Sequence, residues 1–102
     1  MSLRELESAR ELCRQELSAL PGWALGSLVE TEREQGGRRK PFRYLSRSSQ
    51  GRNRITYISE AQAGPLRQAL EEGRKARMLL DRIADLTVAI LKARTPRKEA
   101  SA

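Results

Sequence analysis

Residues 41–59, PFRYLSRSSQGRNRITYIS, predict a β-hairpin around which the rest of the chain can be arranged. Two runs rich in aromatic and β-branched residues, 42–47 and 54–58, flank a polar segment that contains Gly51. Glycine readily adopts the positive φ of a two-residue hairpin turn, so we expect Gln50 and Gly51 to form the turn. This turn predicts four cross-strand pairs: Ser49 with Arg52, Arg47 with Arg54, Leu45 with Thr56 and Tyr44 with Tyr57.

Side chains alternate between two faces along a strand, so this pairing separates an aromatic set from an arginine set. Unpaired guanidinium groups cost several kcal/mol each in an apolar core, which predicts that the arginine face is exposed. The aromatic face is then expected to pack on a helix. The aromatic set is Phe42, Tyr44, Ile55 and Tyr57, and the arginine set is Arg43, Arg47, Arg52 and Arg54.

The composition indicates a small, basic, helix-rich domain. A chain of 102 residues can bury one modest core, and the aromatic content of 4% favours helix packing through Leu, Ile and Ala over an all-β sandwich. The net charge is +7, and residues 21–59 hold eight basic and three acidic residues, so the positive excess centres on the hairpin. Such a charge attracts polyanions, nucleic acid first and an anionic membrane surface second.

Cysteine content and hydropathy predict the location of the protein. Cys13 is the only cysteine, which excludes an intrachain disulfide and a cysteine cluster for zinc and fits a reducing compartment. No apolar run approaches the ~20 residues of a membrane span, and the N-terminus lacks the apolar segment of a signal peptide. We therefore expect a cytoplasmic protein that has no membrane partner.

The chain before the hairpin predicts one helix, one strand and one loop. Ser2 and Glu5 have capping-box spacing, and a Leu-rich stripe continues from them until Pro21-Gly22 ends the helix. Residues 26–31 predict a short strand, because a hairpin alone is marginally stable and a third strand is expected. Residues 34–41 contain paired glycines and three consecutive cations, which predict a mobile basic loop.

The chain after the hairpin predicts a long helix. Ser59 and Gln62 have capping-box spacing, but Gly64-Pro65 indicates that the regular helix begins at Pro65, from which it can continue to Ala93. At ~1.5 Å per residue this helix is about 40 Å long, more than a small sheet covers. Part of it is therefore expected to pack on the first helix or on another copy of the chain. The small residues Ala69, Gly73 and Ala76 leave room for a close neighbour.

Together these elements predict a single α+β domain over residues 1–93, with an N-terminal helix, a small three-stranded antiparallel sheet and a long C-terminal helix. Residues 94–102 are expected to be a disordered tail.

Three segments, GSLVE at 26–30, PFRYLS at 41–46 and GRNRITYIS at 51–59, followed by a long helix, resemble a family of small uncharacterised prokaryotic domains. In that family a GSLVE-like strand leads to a YYYLS strand, a glycine turn, an R-x-R-Y-V strand and a Leu-rich helix. The resemblance covers roughly residues 26–91. It implies the fold and an origin in mobile elements, where members are often encoded, and it carries no activity with it.

The sequence departs from this family at residues 34–40, EQGGRRK, where members commonly have a cysteine-rich loop, so a metal role is not expected. The predicted sheet and helix also resemble the arm-type DNA-binding domains of tyrosine recombinases, in which a sheet face lies in the major groove. That likeness is one of architecture, and fold alone does not specify function.

Catalysis is not expected. The chain has no histidine, and its only aspartates, Asp81 and Asp85, both lie on the predicted helix. No Gly-rich phosphate motif or nucleophile–base spacing occurs. We predict a protein that is not an enzyme and needs no cofactor or metal.

Arginine rather than lysine is concentrated in the predicted hairpin, which favours nucleic acid as the partner. Guanidinium groups form bidentate bonds with phosphate or guanine, and a β-ribbon fits the major groove. We predict a DNA-binding accessory protein, with duplex DNA favoured, within a mobile-element or phage nucleoprotein complex. The predicted contacts are Arg38, Arg39, Lys40, Arg43, Arg47, Arg52 and Arg54.

Two other functions stay open. The Leu-rich helix favours a protein-interaction module, an adaptor or inhibitor of a larger nucleic-acid machine. RNA binding is favoured if Tyr44, Tyr57 or Trp23 is exposed for base stacking, whereas core packing is the prediction for all three. A homodimer or a larger complex is expected to form through Leu79, Ile83, Leu86 and Ile90.

Overall fold

The computed structural model describes residues 1–95 and has the predicted α+β architecture. Its three strands form one antiparallel sheet in the order β1-β2-β3, so each strand pairs with its neighbour in the sequence. The elements are α1 (Leu3–Ala19), β1 (Ser27–Gln35), β2 (Arg38–Ser49), β3 (Arg52–Tyr57) and α2 (Glu60–Arg94).

The chain divides into two compact units. One contains Met1–Pro21 and the chain from Lys75, and the other is Gly22–Arg74. The first unit holds α1 and the second half of α2, and the second unit holds the sheet and the first half of α2. The predicted single domain over residues 1–93 stays a prediction. The predicted disordered tail begins at Arg94, the last residue of α2, and from residue 96 it lies outside the described residues.

The first helix begins and ends as predicted. The Ser2 Oγ accepts a hydrogen bond from the Glu5 N–H at 3.2 Å, and the Glu5 carboxylate accepts one from the Ser2 N–H at 3.3 Å. This capping box satisfies two amide groups that have no partner within the helix. The helix ends at Ala19, ahead of Pro21-Gly22.

In the first unit, α1 and the second half of α2 form an antiparallel helix pair. Leu6 and Cys13 of α1 form a buried cluster with Leu86 and Ile90 of α2, and Ile90 is only 1% exposed. Burying each large aliphatic side chain contributes about 1.5–3 kcal/mol to stability. The direction of the pair follows from two polar contacts, Arg94 to Glu7 at 3.2 Å and Arg10 to Thr87 at 3.3 Å. The prediction that α2 packs partly on the first helix is confirmed.

The predicted basic loop over residues 34–41 is wrong, because this segment is part of a β-hairpin. Strand β1 continues to Gln35, and β2 begins at Arg38. Gly36 and Gly37 have φ of +61° and +78°, the left-handed backbone that a two-residue hairpin turn requires. Opposite charges meet across the strands, with Glu34 paired with Arg39, and such pairs contribute roughly 0.2–1 kcal/mol each. The cations Arg38, Arg39 and Lys40 therefore belong to a strand.

The β2–β3 hairpin has the predicted turn and register. Gln50 and Gly51 are the turn residues and have φ of +52° and +74°. All four predicted pairs are present: Ser49 with Arg52, Arg47 with Arg54, Leu45 with Thr56 and Tyr44 with Tyr57.

The second helix begins five residues earlier than predicted. Its capping box is formed by Ser59 and Gln62, with N–H···O distances of 3.0 and 3.3 Å, and the helix begins at Glu60. Pro65 lies inside the helix rather than at its first position. Because the capping box satisfies the first amide groups, the helix forms ahead of the proline, which removes only one backbone bond near the N-terminus. The helix ends at Arg94, one residue beyond the prediction.

The segment before β1 packs closely on the first half of α2, as the small residues predicted. The Ala24 N–H donates to the Ala69 carbonyl at 3.0 Å. A Cβ atom on Gly73 would lie 1.9 Å from the Ala24 carbonyl oxygen, so only glycine permits this approach.

The face of the sheet that lies against α2 is the one predicted to be exposed. Glu30 lies opposite Arg43 in the β1–β2 register and accepts hydrogen bonds from Arg43, at 3.4 Å, and from Arg67 of α2. The Arg43 side chain is only 19% exposed, whereas Ile55 and Tyr57 on the opposite face are 57% and 68% exposed. The predicted orientation is wrong because Arg43 is not unpaired: it forms an ion pair with the carboxylate on β1, which lowers the cost of covering it.

Candidate nucleic-acid interface

The strand register assigns each sheet residue to one of two faces. We call the face that carries Glu30 and Arg43 the helix-side face, and the face that carries Phe42 and Tyr57 the open face. All three acidic residues of the sheet, Glu30, Glu32 and Glu34, fall on the helix-side face. The open face has no acidic residue among its strand positions. The two faces therefore differ in charge as well as in burial.

Three exposed arginines lie on the helix-side face at the β2–β3 hairpin, and we call them the arginine cluster: Arg47, Arg52 and Arg54. Arg47 is directly opposite Arg54 and diagonal to Arg52. The sequence has no acidic residue between Glu34 and Glu60. Within residues 1–95 no salt bridge involves any of the three. Like charges directly opposite each other destabilise a strand pair, so the isolated protein gains no strand-pairing energy from this arrangement.

The seven predicted DNA contacts do not form one surface. The arginine cluster accounts for three of them. Arg39 forms a salt bridge with Glu32 at 3.5 Å while its side chain stays 81% exposed. Arg43 pairs with Glu30 beside α2. Arg38 and Lys40 lie on the open face, because their positions alternate with Arg39 along β2.

Glu30 is the electrostatic centre of the helix-side face. The hydrogen bond from Arg67 lowers the pKa of Glu30 below its ordinary value of 4.5. Partial desolvation opposes this shift, whereas the charge of Arg67 and the hydrogen bond and charge of Arg43 add to it. The carboxylate is therefore ionised at neutral pH and is shared by both arginines, so it offsets part of their combined charge. Arg43 is left with less attraction for a polyanion than an unpaired arginine has.

The open face holds a group of aromatic rings that we call the aromatic cluster: Phe42, Tyr44 and Tyr57. The Phe42 ring lies 5.2 Å from that of Tyr57, edge to face, and 5.8 Å from that of Tyr44. The Arg33 guanidinium lies over the Phe42 ring at 5.3 Å, within the range of a cation–π contact. Tyr57 is largely exposed and Tyr44 is half-buried, so only Tyr44 comes near the predicted core position. Trp23, also expected in the core, is 40% exposed.

Sequence reasoning missed Arg33 and the exposure of Tyr57. The position of Arg33 beside Phe42 depends on the β1–β2 hairpin, because Arg33 pairs with Lys40, two residues before Phe42. The signal that identifies this hairpin is Gly36-Gly37 between two strands of complementary charge.

The four residues predicted to mediate association lie in the core of the first unit. Leu86 and Ile90 are buried, and Leu79 and Ile83 pack against the same cluster. Contact with α1 is sufficient to explain why these positions are apolar. Other apolar side chains of α2 are exposed instead, namely Met78, Leu80, Val88 and Leu91.

Comparison with protein-family models, with curated proteins and with solved structures finds no match for the chain. The resemblance to the prokaryotic domain family therefore stays a hypothesis. Among the described residues, neither helix has the length and apolarity needed to cross a membrane.

Proposed function

We propose that the protein is a non-enzymatic module that binds duplex DNA through the arginine cluster. The observation that carries this proposal is the arrangement of Arg47, Arg52 and Arg54 on one face of a hairpin whose strands contain no carboxylate. A polyanion relieves the repulsion between these side chains, which no group in the sheet offsets.

The hairpin suits duplex DNA in shape and in chemistry. A two-stranded β-ribbon fits the major groove, and guanidinium groups form bidentate hydrogen bonds with phosphate oxygens or with guanine. Each arginine that reads a base is expected to contribute about 1–3 kcal/mol, and less if it contacts phosphate alone. Arg39 can add a weaker phosphate contact because it is exposed, while Arg43 is excluded because it is largely covered and paired with Glu30.

The proposed cellular setting is the one that the sequence predicts. The module acts in the cytoplasm as an accessory of a mobile-element or phage nucleoprotein complex, in which other components supply any catalytic activity.

Fluorescence anisotropy with labelled random-sequence duplex tests the proposal, using the variant Arg47→Gln with Arg54→Gln. We expect this variant to bind at least about tenfold more weakly than wild type at low salt. The slope of log K against log salt should fall by about two, because two phosphate contacts are lost.

The matched control is Arg77→Gln with Arg82→Gln, which removes the same charge from two exposed positions of α2. It should change the affinity by less than about threefold. Equal losses in both variants would mean that net charge alone drives binding. Absence of duplex binding by the wild-type protein at low salt would refute the proposal.

A second candidate, a protein-interaction module, is favoured by the apolar side chains that α2 exposes. Leu80, Val88 and Leu91 are 46%, 52% and 57% exposed and recur at helical spacing. These residues, rather than the buried Leu86 and Ile90, are the ones available to a second copy or to a larger complex. Light scattering of wild type and of Leu80→Glu with Leu91→Glu tests this: a homodimer should become a monomer, and an unchanged mass would argue against it.

A further inference from the structure

We infer that the open face is a second binding surface, separate from the arginine cluster, and that it takes single-stranded DNA by base stacking. The bases would stack on Tyr57 and on the edge of the aromatic cluster, and cations of β1 and β2 would contact the phosphates. Tyr57 is 68% exposed, and Ile55 beside it on the same face is 57% exposed.

The aromatic cluster offers a stacking platform whose rings support one another. Phe42 contacts both tyrosine rings, at 5.8 Å for Tyr44 and 5.2 Å for Tyr57. Tyr44 and Tyr57 are directly opposite in the register, so their rings project from the same face of neighbouring strands. Ring contacts of this kind restrict the side chains before a ligand binds, which reduces the entropy lost on stacking. Every base has a π-face, so a platform of this kind binds without strong sequence preference.

Cations continue from the aromatic cluster along the same face. Arg38, Lys40 and Phe42 alternate with residues of the helix-side face on β2, so they follow one another at roughly 6–7 Å. Arg33 lies on this face in β1, opposite Lys40. No strand position of the open face is acidic, so these three cations have no carboxylate beside them on that face. The phosphate backbone of a strand can follow the cations while its bases reach the rings.

The combination of aromatic rings and positive charge indicates which ligand binds the open face. Duplex DNA buries the faces of its bases in its own stack, so rings on a sheet surface can stack only on unpaired bases. A second copy of the chain, docked by two-fold symmetry on the same face, would bring cations against cations and gain no opposite charge. The choice of DNA over RNA rests on the proposed function, in which the neighbouring hairpin already binds DNA.

The test measures anisotropy of labelled oligo-dT, oligo-U of equal length and random-sequence duplex with the whole protein and two groups of variants. Tyr57→Ser should weaken oligo-dT binding roughly tenfold, since stacking is lost, and leave duplex binding within about twofold. Arg38→Gln with Lys40→Gln should weaken oligo-dT binding and reduce its salt dependence.

The matched control is Arg47→Gln with Arg54→Gln, which removes the same charge from the helix-side face. It should weaken duplex binding more than oligo-dT binding. Circular dichroism checks that each variant is folded, and Tyr57→Phe, which keeps the ring, should retain most of the oligo-dT affinity and so show that stacking is the cause.

Three outcomes would overturn the inference. Unchanged oligo-dT binding by folded Tyr57→Ser would show that the ring does not stack. Oligo-U binding at least about tenfold tighter than oligo-dT binding would assign the face to RNA. If an open-face variant differed from wild type in its molecular mass in solution and bound oligonucleotides equally well, the face would be an interface between copies of the chain. Failure of the proposed function is distinguishable, because it appears in the duplex measurements with the arginine-cluster variant.

Discussion

The β1–β2 and β2–β3 hairpins share one strand and have similar glycine-containing turns, yet their charges are arranged in opposite ways. In β1–β2, two glutamates face arginines, Glu30 opposite Arg43 and Glu34 opposite Arg39, and Arg33 opposite Lys40 is the one pair of like charges. In β2–β3, Arg47 lies opposite Arg54, and the strands hold no carboxylate. The opposite-charge pairs of β1–β2 stabilise that strand pair, and the facing arginines destabilise β2–β3.

This difference shows that the sum of charge is a poor guide to a binding surface. Both hairpins carry a positive excess, but the acidic residues of β1 occupy the cations that face them. The cations that stay available lie where cross-strand carboxylates are missing: the arginine cluster on one face, and Arg33, Arg38 and Lys40 on the other. Four experiments test the contacts and charges on which this difference depends.

The largest effect is expected from Gly73→Ala. This glycine lets the segment that leads to β1 pack closely on α2. The new Cβ would lie 1.9 Å from the Ala24 carbonyl oxygen, and backbone atoms cannot move away cheaply. We expect a loss of about 3 kcal/mol in the free energy of unfolding, measured by urea denaturation.

The control is Gly64→Ala, another glycine of α2, where an added Cβ meets nothing within 4 Å. It should be neutral or stabilise by up to about 1 kcal/mol, as alanine does in a helix. If Gly73→Ala stabilised the protein in the same way, the close approach of Ala24 would be wrong.

The next largest effect is expected from Gly36→Ala with Gly37→Ala, which tests whether residues 34–41 form a hairpin or a loop. Both glycines have positive φ, a backbone that costs an alanine roughly 1–2 kcal/mol. The double variant should therefore lose about 2 kcal/mol or more of unfolding free energy. Gly36→Asn is the control, since asparagine tolerates this backbone, and it should lose much less. If wild type, the double alanine variant and Gly36→Asn were equally stable, residues 34–41 would be a loop and not a hairpin.

A smaller effect of opposite sign is expected from Arg54→Glu, which converts β2–β3 to the charge arrangement of β1–β2. The new carboxylate faces Arg47, so the unfolding free energy should rise by about 0.5–1 kcal/mol. Duplex binding should weaken by more than tenfold because the cluster loses two units of charge. Arg54→Gln removes the repulsion without adding a carboxylate, so it separates the relief of repulsion from the gain of an ion pair. A variant that is stabilised and still binds duplex as wild type does would contradict the proposed role of the cluster.

The smallest effect is the pH dependence contributed by Glu30. Its pKa is lower in the folded protein than the ordinary 4.5, so the contribution is present above that value and is lost as the pH falls through the folded pKa. The difference in unfolding free energy between wild type and Glu30→Gln should be constant near neutral pH and shrink in acid below about 4.5. Arg67→Met should show the same trend. A difference that grows in acid would contradict the ion pairs on the helix-side face.

Short-range rules were sufficient for much of the fold. The capping-box spacing at Ser2 predicted the start of α1, and this cap forms. The same spacing at Ser59 also forms a cap, although the helix was predicted to begin at Pro65. Gln50-Gly51 predicted the register of β2–β3, because a two-residue turn leaves one pairing. These features depend on residues within a few positions of each other, where backbone sterics and local hydrogen bonds dominate.

The β1–β2 hairpin was also within reach of sequence reasoning. Gly36-Gly37 is a turn signal of the same kind as Gln50-Gly51, and Glu34 is placed to meet Arg39. Three consecutive cations do not require a loop, because charged side chains on the two faces of an exposed strand need no burial. The start of α2 is set by the capping box at Ser59, which satisfies the first amide groups, and not by Pro65.

The amphipathic stripe of α2 was predictable, but its partner was not. Periodicity identifies which residues avoid water, and the same pattern suits packing on α1 or on another copy. Only the packed helices assign Leu86 and Ile90 to the intrachain core and leave Leu80 and Leu91 exposed.

The composition and local pattern of this chain specify its elements, their order and the basic character of its sheet. Which sheet face lies against α2 depends on Glu30, which lies 13 residues from Arg43 and 37 from Arg67 in the sequence. Once the chain brings these groups together, the guanidinium of Arg43 is no longer unpaired, and the cost that predicted its exposure falls. Tyr57 and Ile55 stay exposed on the opposite face, because the covered face is selected by the total free energy of three-dimensional contacts and not by the hydrophobicity of one hairpin.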